Sequence, residues 1–178
     1  MMMKRLLSLG AAALASLVGG CGDGPSTVPG GYRNAATWSS FIYATSSGPL
    51  LLDVRGDPFG AGSADLGQAV ATGMAAGIPA RPFTLTLDAA AAARPNFRVM
   101  VVLGGAKELD ERAICAGRAQ GAATRIEGGR LDLIATFCDG EALLSSVRGW
   151  VARIDGVDDR RFQRLLGQVA RELMGEAP

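Results

Sequence analysis

Histidine is absent from all 178 residues of this chain. Because the histidine side chain titrates nearest to neutral pH, its absence excludes Ser-His-Asp and Cys-His catalysis and every zinc site that uses histidine ligands. Ser145 and Ser146 therefore have no imidazole to activate them. We predict neither a cofactor nor a metal ligand set, and we expect a protein without catalytic activity.

An excess of positive charge is also missing, since 18 Lys and Arg residues face 17 Asp and Glu residues. Nucleic-acid binders normally carry a clustered basic excess, so we exclude nucleic acid as a partner. Lysine is scarce as well, and Lys107 is the only lysine after Lys4. Arginine in place of lysine suits bidentate anion recognition. Because alanine and glycine are abundant too, we favour a GC-rich genome as the explanation for the arginine excess.

The chain has no apolar run long enough to cross a bilayer. Its longest, Leu6 to Val18, has 13 residues, whereas a spanning helix needs about 20. Lys4 and Arg5 stand directly before this run, and a cationic end followed by a short apolar segment is typical of a secretory signal.

The end of the leader reads Leu17-Val18-Gly19-Gly20-Cys21. This segment resembles the lipobox of bacterial lipoprotein precursors. The resemblance implies a signal peptide over residues 1–20 and a mature chain that begins at a lipidated Cys21, with the lipid bilayer as partner. Gly22 rather than Asp follows the cysteine, so the resemblance favours the outer membrane, facing the periplasm. The alternative is an ordinary secretory signal with Cys21 a bystander.

If Cys21 carries lipid, only Cys115 and Cys138 remain. An even pair in an exported, oxidising setting predicts a disulfide, which would stabilise the fold by roughly 3 kcal/mol on the chain-entropy model. Two buried free thiols are the alternative. A redox role has less support, because the CxxC spacing is absent.

Composition divides the mature chain into a flexible tether over residues 21–36 and one globular domain over residues 37–178. The patterns of apolar residues predict an α/β fold, with α+β as the alternative, in which one sheet of about five strands is covered by helices on at least one face. The predicted strands are 38–45, 50–54, 83–87, 97–103 and 131–137. The predicted helices are 65–76, 107–116, 139–154 and 158–174.

Two groups of acidic residues are candidate sites. Asp53 and Asp57, with Asp65, could hold a cation or form an acid/base pair beside a glycine-rich loop, but solvation and helix capping explain them at less cost. Spacing that fits neither GxGxxG nor a P-loop favours a plain connection for the loop. Asp155, Asp158 and Asp159 precede or begin a helix, which predicts capping.

On the last predicted helix, Arg160, Arg164 and Arg171 form one stripe. Such a stripe could contact anionic headgroups, and the solvated face of an amphipathic helix is the alternative.

These observations favour a lipid-anchored cell-envelope lipoprotein that acts by binding or scaffolding an envelope protein or ligand. The segment from Ile134 to Gly140 is similar to small lipoproteins of GC-rich proteobacteria. Two alternatives stay open: a carboxylate-based or metal-dependent enzyme around Asp53 and Asp57, and an immunity or inhibitor lipoprotein.

Overall fold

The computed structural model describes residues 22–104, 109–118, 126 and 128–175. This part of the chain contains six strands and four helices. In chain order they are β1 Ser26–Arg33, α1 Thr37–Ala44, β2 Leu50–Arg55, α2 Ser63–Ala75, β3 Leu85–Thr86, β4 Phe97–Leu103, α3 Glu111–Cys115, β5 Arg130–Asp139, β6 Ala142–Ala152 and α4 Arg160–Met174.

All six strands form one mixed sheet in the order β1-β6-β5-β4-β2-β3. The pairs from β1 to β4 are antiparallel, whereas β4 with β2 and β2 with β3 are parallel. A mixed sheet covered by helices is an α/β fold, as the sequence predicts. The sheet has six strands instead of about five, because two further segments are strands and one predicted strand is a helix.

One face of the sheet carries the larger core, beneath α2 and α4. Alternate residues of the central strands point into it, including Val99 and Val101 of β4 and Val147 and Val151 of β6, all fully buried. The contacting face of α4 supplies the buried residues Phe162, Leu165, Leu166, Val169 and Leu173. These are the apolar positions that identify α4 in the sequence, so its prediction is confirmed.

The other face carries a smaller core beneath α3. Met100, Val102 and Ile134 of the sheet contact Ile114 of the helix there. The remaining members of this core are Cys115, Cys138 and Leu143. Because both faces of β4 and β5 are covered, these strands are apolar along nearly their whole length, as the run from Phe97 to Leu103 predicts.

The prediction of a strand over 38–45 is wrong, because Thr37–Ala44 is helix α1. Thr37, Phe41 and Ala44 are its buried residues, four and three positions apart, which is helical spacing. Aromatic and β-branched side chains favour a strand, but their preference depends on what they pack against. Here Phe41 packs from the helix and contacts Phe83 edge to face at 5.0 Å. Ser46 to Pro49 therefore joins a helix to a strand and is not a hairpin loop.

The prediction of a helix over 139–154 is also wrong, because Ala142–Ala152 is strand β6. Asp139 pairs with Ala142, which leaves a two-residue loop between β5 and β6. Gly140 begins this loop at a φ of 56°, and a glycine in that place is a hairpin signal. Apolar residues face both sides of β6, so their spacing imitates a helix.

The tether prediction is wrong for most of residues 21–36. Ser26–Arg33 is strand β1, which pairs antiparallel with β6 from Ser26 opposite Trp150 to Arg33 opposite Ser145. Glycine and proline indicate a linker, but an edge strand tolerates Pro29 because only one side of its backbone is paired. Contacts with the end of β6 begin earlier still, since the Asp23 carbonyl accepts a hydrogen bond from the Ala152 amide and the Asp23 carboxylate forms an ion pair of 3.0 Å with Arg153.

Strand directions define two ends of the sheet. The Asp23 end is where β1 begins and β6 ends, and the Arg33 end is where β1 ends and β6 begins. Eleven residues of β6 separate these ends, a span of about 35 Å at the usual rise per residue.

Candidate functional site

A cavity of about 1100 Å³ opens at the Arg33 end of the molecule. Its walls come from three separate parts of the chain: the turn from β1 into α1, the segment that follows α2, and the last turn of α4. The lining residues are Arg33, Asn34, Ala35, Thr37, Trp38, Gly77, Ile78, Pro79, Ala80, Arg81, Arg171, Glu172, Met174 and Gly175. Ligand pockets are usually about 300–1,000 Å³, so a small molecule fits.

Close packing of α4 against the segment after α2 shapes one wall of this cavity. A Cβ atom added at Gly77 would meet the carbonyl oxygen of Gly167 and lie 2.8 Å from its Cα. Only glycine therefore permits this approach, which brings Ile78 and Arg81 beside the end of α4. Arg171 donates from Nη1 to the Gly77 carbonyl at 3.1 Å and ties the same two segments together.

Arg33 contacts the carboxyl end of α4. Its guanidinium donates to the carbonyls of Glu172 and Leu173 and lies 4.0 Å from the Glu172 carboxylate. The last carbonyls of a helix lack partners within the helix and carry partial negative charge. Arg33 thus stabilises the end of α4 while its side chain, 37 % exposed, lines the cavity.

Arg81 belongs to the segment after α2, and its guanidinium lies over the ring of Phe41 at 5.9 Å. Nη2 donates to the Ile42 carbonyl at 3.3 Å and to Thr45 Oγ1 at 3.1 Å. Nε is buried without an acceptor among the described residues. A charged group held in this way is costly unless other interactions satisfy it.

Trp38 is half-buried in the cavity wall and packs on Phe41, with 5.5 Å between ring centroids. Ile78 and Met174 add buried apolar surface. The cavity thus combines an apolar floor with three guanidinium groups, a composition typical of small-molecule sites. No local sequence signal identifies Arg33, Trp38 and Arg81, because tertiary packing alone brings them together.

The structure holds Asp53 and Asp57 by separate local partners. Asp53 forms an ion pair with Arg55 at 3.2 Å on the sheet face opposite α2. Asp57 accepts hydrogen bonds from the amides of Phe59, Ala61 and Gly62 within its own loop. The Gly62 amide, followed by the Ala61 and Phe59 amides, outweighs partial burial and lowers the pKa of Asp57 below 3.8. Asp57 is therefore ionised at neutral pH and cannot serve as a general acid there.

The same hydrogen bonds argue against a phosphate-binding role for this loop. The amides that a phosphate would need between residues 56 and 62 already donate to the Asp57 carboxylate. The loop is a connection closed by Asp57. Asp65 lies in the first turn of α2, but Gly62 holds the N-cap position, so its predicted capping role is wrong.

Asp159 is the N-cap of α4, which confirms the capping prediction for that residue. Its carboxylate accepts from the Arg161 amide at 2.7 Å and from the Asp155 amide at 3.2 Å. Burial raises the pKa of Asp159, but these bonds and the Arg161 guanidinium outweigh it and hold the pKa below 3.8. Among the residues described, no three Asp, Glu or Cys side chains are grouped to hold a metal ion.

The arginine stripe of α4 is divided. Arg160 and Arg164 are exposed, and Arg164 donates only to the Arg160 carbonyl among the contacts of the described chain. Arg171 is exposed as well, but it lines the cavity and donates to the Gly77 carbonyl.

Ser145 and Ser146 lie on β6 and face opposite sides of the sheet. Ser145 donates to the Leu173 carbonyl of α4 at 2.6 Å. Ser146, 2 % exposed, donates at 2.6 Å to Glu111, which also pairs with Arg148 at 3.3 Å. No local pattern of residues predicts this Glu111 cluster. It fastens α3 to the sheet, and the carboxylate that accepts from its buried serine is also paired with Arg148.

Cys115 and Cys138 lie at disulfide-bonding distance, with 5.7 Å between their Cα atoms. Both are fully buried in the smaller core, where a reductant has no access, so the pair has a structural role rather than a redox one. Cys21 and Lys107 lie outside the described residues. None of the helices in the described ranges has the length and apolarity needed to cross a membrane.

Comparison with known proteins gives no relative: no family model, curated protein or solved structure matches the chain.

Proposed function

We propose that the protein is a lipid-anchored lipoprotein of the bacterial cell envelope that binds a ligand in the cavity at the Arg33 end. The leader and its lipobox-like segment ending at Cys21 support the anchor. The cavity of about 1100 Å³ carries the binding function, because a concave, largely apolar lining with a few charged groups is typical of ligand sites.

The contacts of Asp23 support a short connection between the lipid anchor and the folded domain rather than a long flexible tether. Asp23 is held by Ala152 and Arg153, so Gly22 alone separates it from Cys21. On an acylated protein the Asp23 end of the sheet therefore faces the bilayer. The cavity, about 35 Å away along β6, opens towards the periplasm, where a soluble ligand or partner reaches it.

Metabolic labelling with radioactive palmitate tests the anchor. We expect the wild-type chain to incorporate label and fractionate with outer membranes, and Cys21→Ser to do neither. Cys138→Ser is the matched control, because it removes a cysteine but leaves Cys21, and it should still be labelled. Undiminished labelling of Cys21→Ser would contradict the proposal.

A further inference from the structure

The charge of the cavity wall indicates what it binds, if the cavity is the ligand site proposed above. Among the lining residues that the structure describes, Arg33, Arg81 and Arg171 are basic and Glu172 alone is acidic. The carboxyl ends of α1 and α4 lie nearby and each contributes about half a negative charge. Three guanidinium charges exceed the sum of these, so the wall keeps a positive surplus.

Hydrogen-bonding capacity points the same way. A guanidinium has five N–H donors. Arg171 uses Nη1 on Gly77, and Arg81 uses Nη2 on Ile42 and Thr45. The other nitrogens of both side chains have no acceptor among the described residues. Two guanidinium groups with spare donors in one cavity lining suit an oxyanion, which accepts several charge-assisted hydrogen bonds at once.

Apart from Asn34 and Thr37, the rest of the described lining is apolar and includes one aromatic ring. Its largest apolar side chains are those of Trp38, Ile78, Pro79 and Met174. An inorganic ion alone would leave this surface without a partner, whereas an apolar body attached to the anionic group would cover it.

We infer that the cavity binds the carboxylate or phosphate group of a small amphiphilic molecule, with Arg81 and Arg171 on the anion and Trp38 and Ile78 on the apolar body. This inference rests on the proposed binding function. It also gives a reason for three arginines in one cavity lining, which a bias in base composition does not explain.

Two dyes of matched shape test the inference on the chain from residue 22, which contains every element described. Anilinonaphthalene sulfonate carries an anionic group, and N-phenylnaphthylamine is nearly the same body without it. Trp150→Phe leaves Trp38 as the only tryptophan, so quenching of its fluorescence reports binding in the cavity. We expect the sulfonate to bind about tenfold more tightly, since hydrogen bonds to charged groups contribute that much or more.

Arg171→Gln should remove about tenfold of the sulfonate affinity and leave the neutral dye unaffected. Arg164→Gln on the same helix is the matched control, because its exposed side chain is outside the cavity lining, and it should change neither affinity. Competition by decanoate and by decyl phosphate then separates a carboxylate ligand from a phosphate ligand.

Equal affinity of the two dyes, both quenching Trp38, would overturn the anionic class and keep the binding function. Quenching by neither dye would overturn both. The comparison of the two dyes is made with Arg171 in place, in the Trp150→Phe background alone, so misfolding of Arg171→Gln would not remove the test.

Discussion

Single glycines decide how closely the helices of this protein approach each other. The Gly77 and Gly167 backbones touch where the segment after α2 meets α4. The three atoms nearest to a methyl group added at Gly77 would be main-chain atoms of Gly167, which cannot rotate away. The contact forms one wall of the cavity, so a residue with no side chain fixes the position of Arg81 and Arg171.

Gly77→Ala should therefore destabilise the protein by about 1–3 kcal/mol, the usual cost of overpacking a tight contact. Gly156→Ala is the matched control, because a Cβ there has no atom within 4 Å and its φ is not positive. Urea unfolding followed by circular dichroism measures both variants. A Gly77→Ala curve that overlays the control would show that the segments separate without cost.

Hydrogen bonds at the residue scale also explain why acidic side chains proved structural. Asp57 and Asp159 each take up backbone amides that no other group near them satisfies. Their pKa values are lowered, so each favours the folded state above the unfolded value of about 3.9 and loses that contribution as the pH falls through the lower folded value. Their clustering in the sequence reflects loop and helix chemistry.

At the scale of elements, α3 is the segment that most needs its neighbours. Five residues are too few for an isolated helix to persist in water. It is held by Cys115 and Cys138, by Glu111 on Ser146 and Arg148, and by Arg98, which donates to the Cys115 carbonyl at 2.6 Å. The smaller core depends on all of these.

We predict that replacing Cys115 and Cys138 together by alanine lowers the free energy of unfolding by about 2–4 kcal/mol. Amide exchange should rise first in α3, while β4 and β5 keep their protection because the larger core is untouched. Hydrogen exchange with mass spectrometry locates the change. An unchanged exchange rate in Glu111–Cys115 would show that the polar contacts alone hold the helix.

Strand β1 shows how far an element can depart from its composition. Its glycines and proline indicate a linker, yet it completes the sheet against β6. A Cβ at Gly30 would lie 2.7 Å from the Cβ of Ser146, so that glycine is there for close approach of the edge strand. Through this pairing the chain runs from Asp23 to Arg33 along one edge of the sheet, from one end to the other.

At the scale of the whole molecule, the two ends of the sheet have different roles in the proposed function. In that proposal the Asp23 end adjoins a lipidated Cys21, whereas the Arg33 end holds the cavity. Because β6 and Arg153 already hold Asp23, we expect the fold rather than a flexible spacer to set the orientation of an acylated protein on the membrane.

Energy transfer from a dye at a single introduced cysteine to acceptor-labelled lipid headgroups measures this orientation in the acylated protein. Asp158→Cys lies between β6 and α4 at the Asp23 end, and Glu141→Cys lies in the hairpin loop at the opposite end. We expect strong transfer from the first and weak transfer from the second, since they are about 35 Å apart. Equal transfer would mean that the domain tumbles on its anchor.

The sequence by itself determined what depends on local pattern. The α/β class, the buried β4, the amphipathic α4 and its Asp159 cap follow from apolar periodicity and capping chemistry. Only the tertiary structure decided the identities of α1, β1 and β6, because covered faces and edge pairing override local preference. It alone also assembled the cavity, since Arg33, Arg81 and Arg171 come from distant segments that meet only when α4 packs against the end of α2.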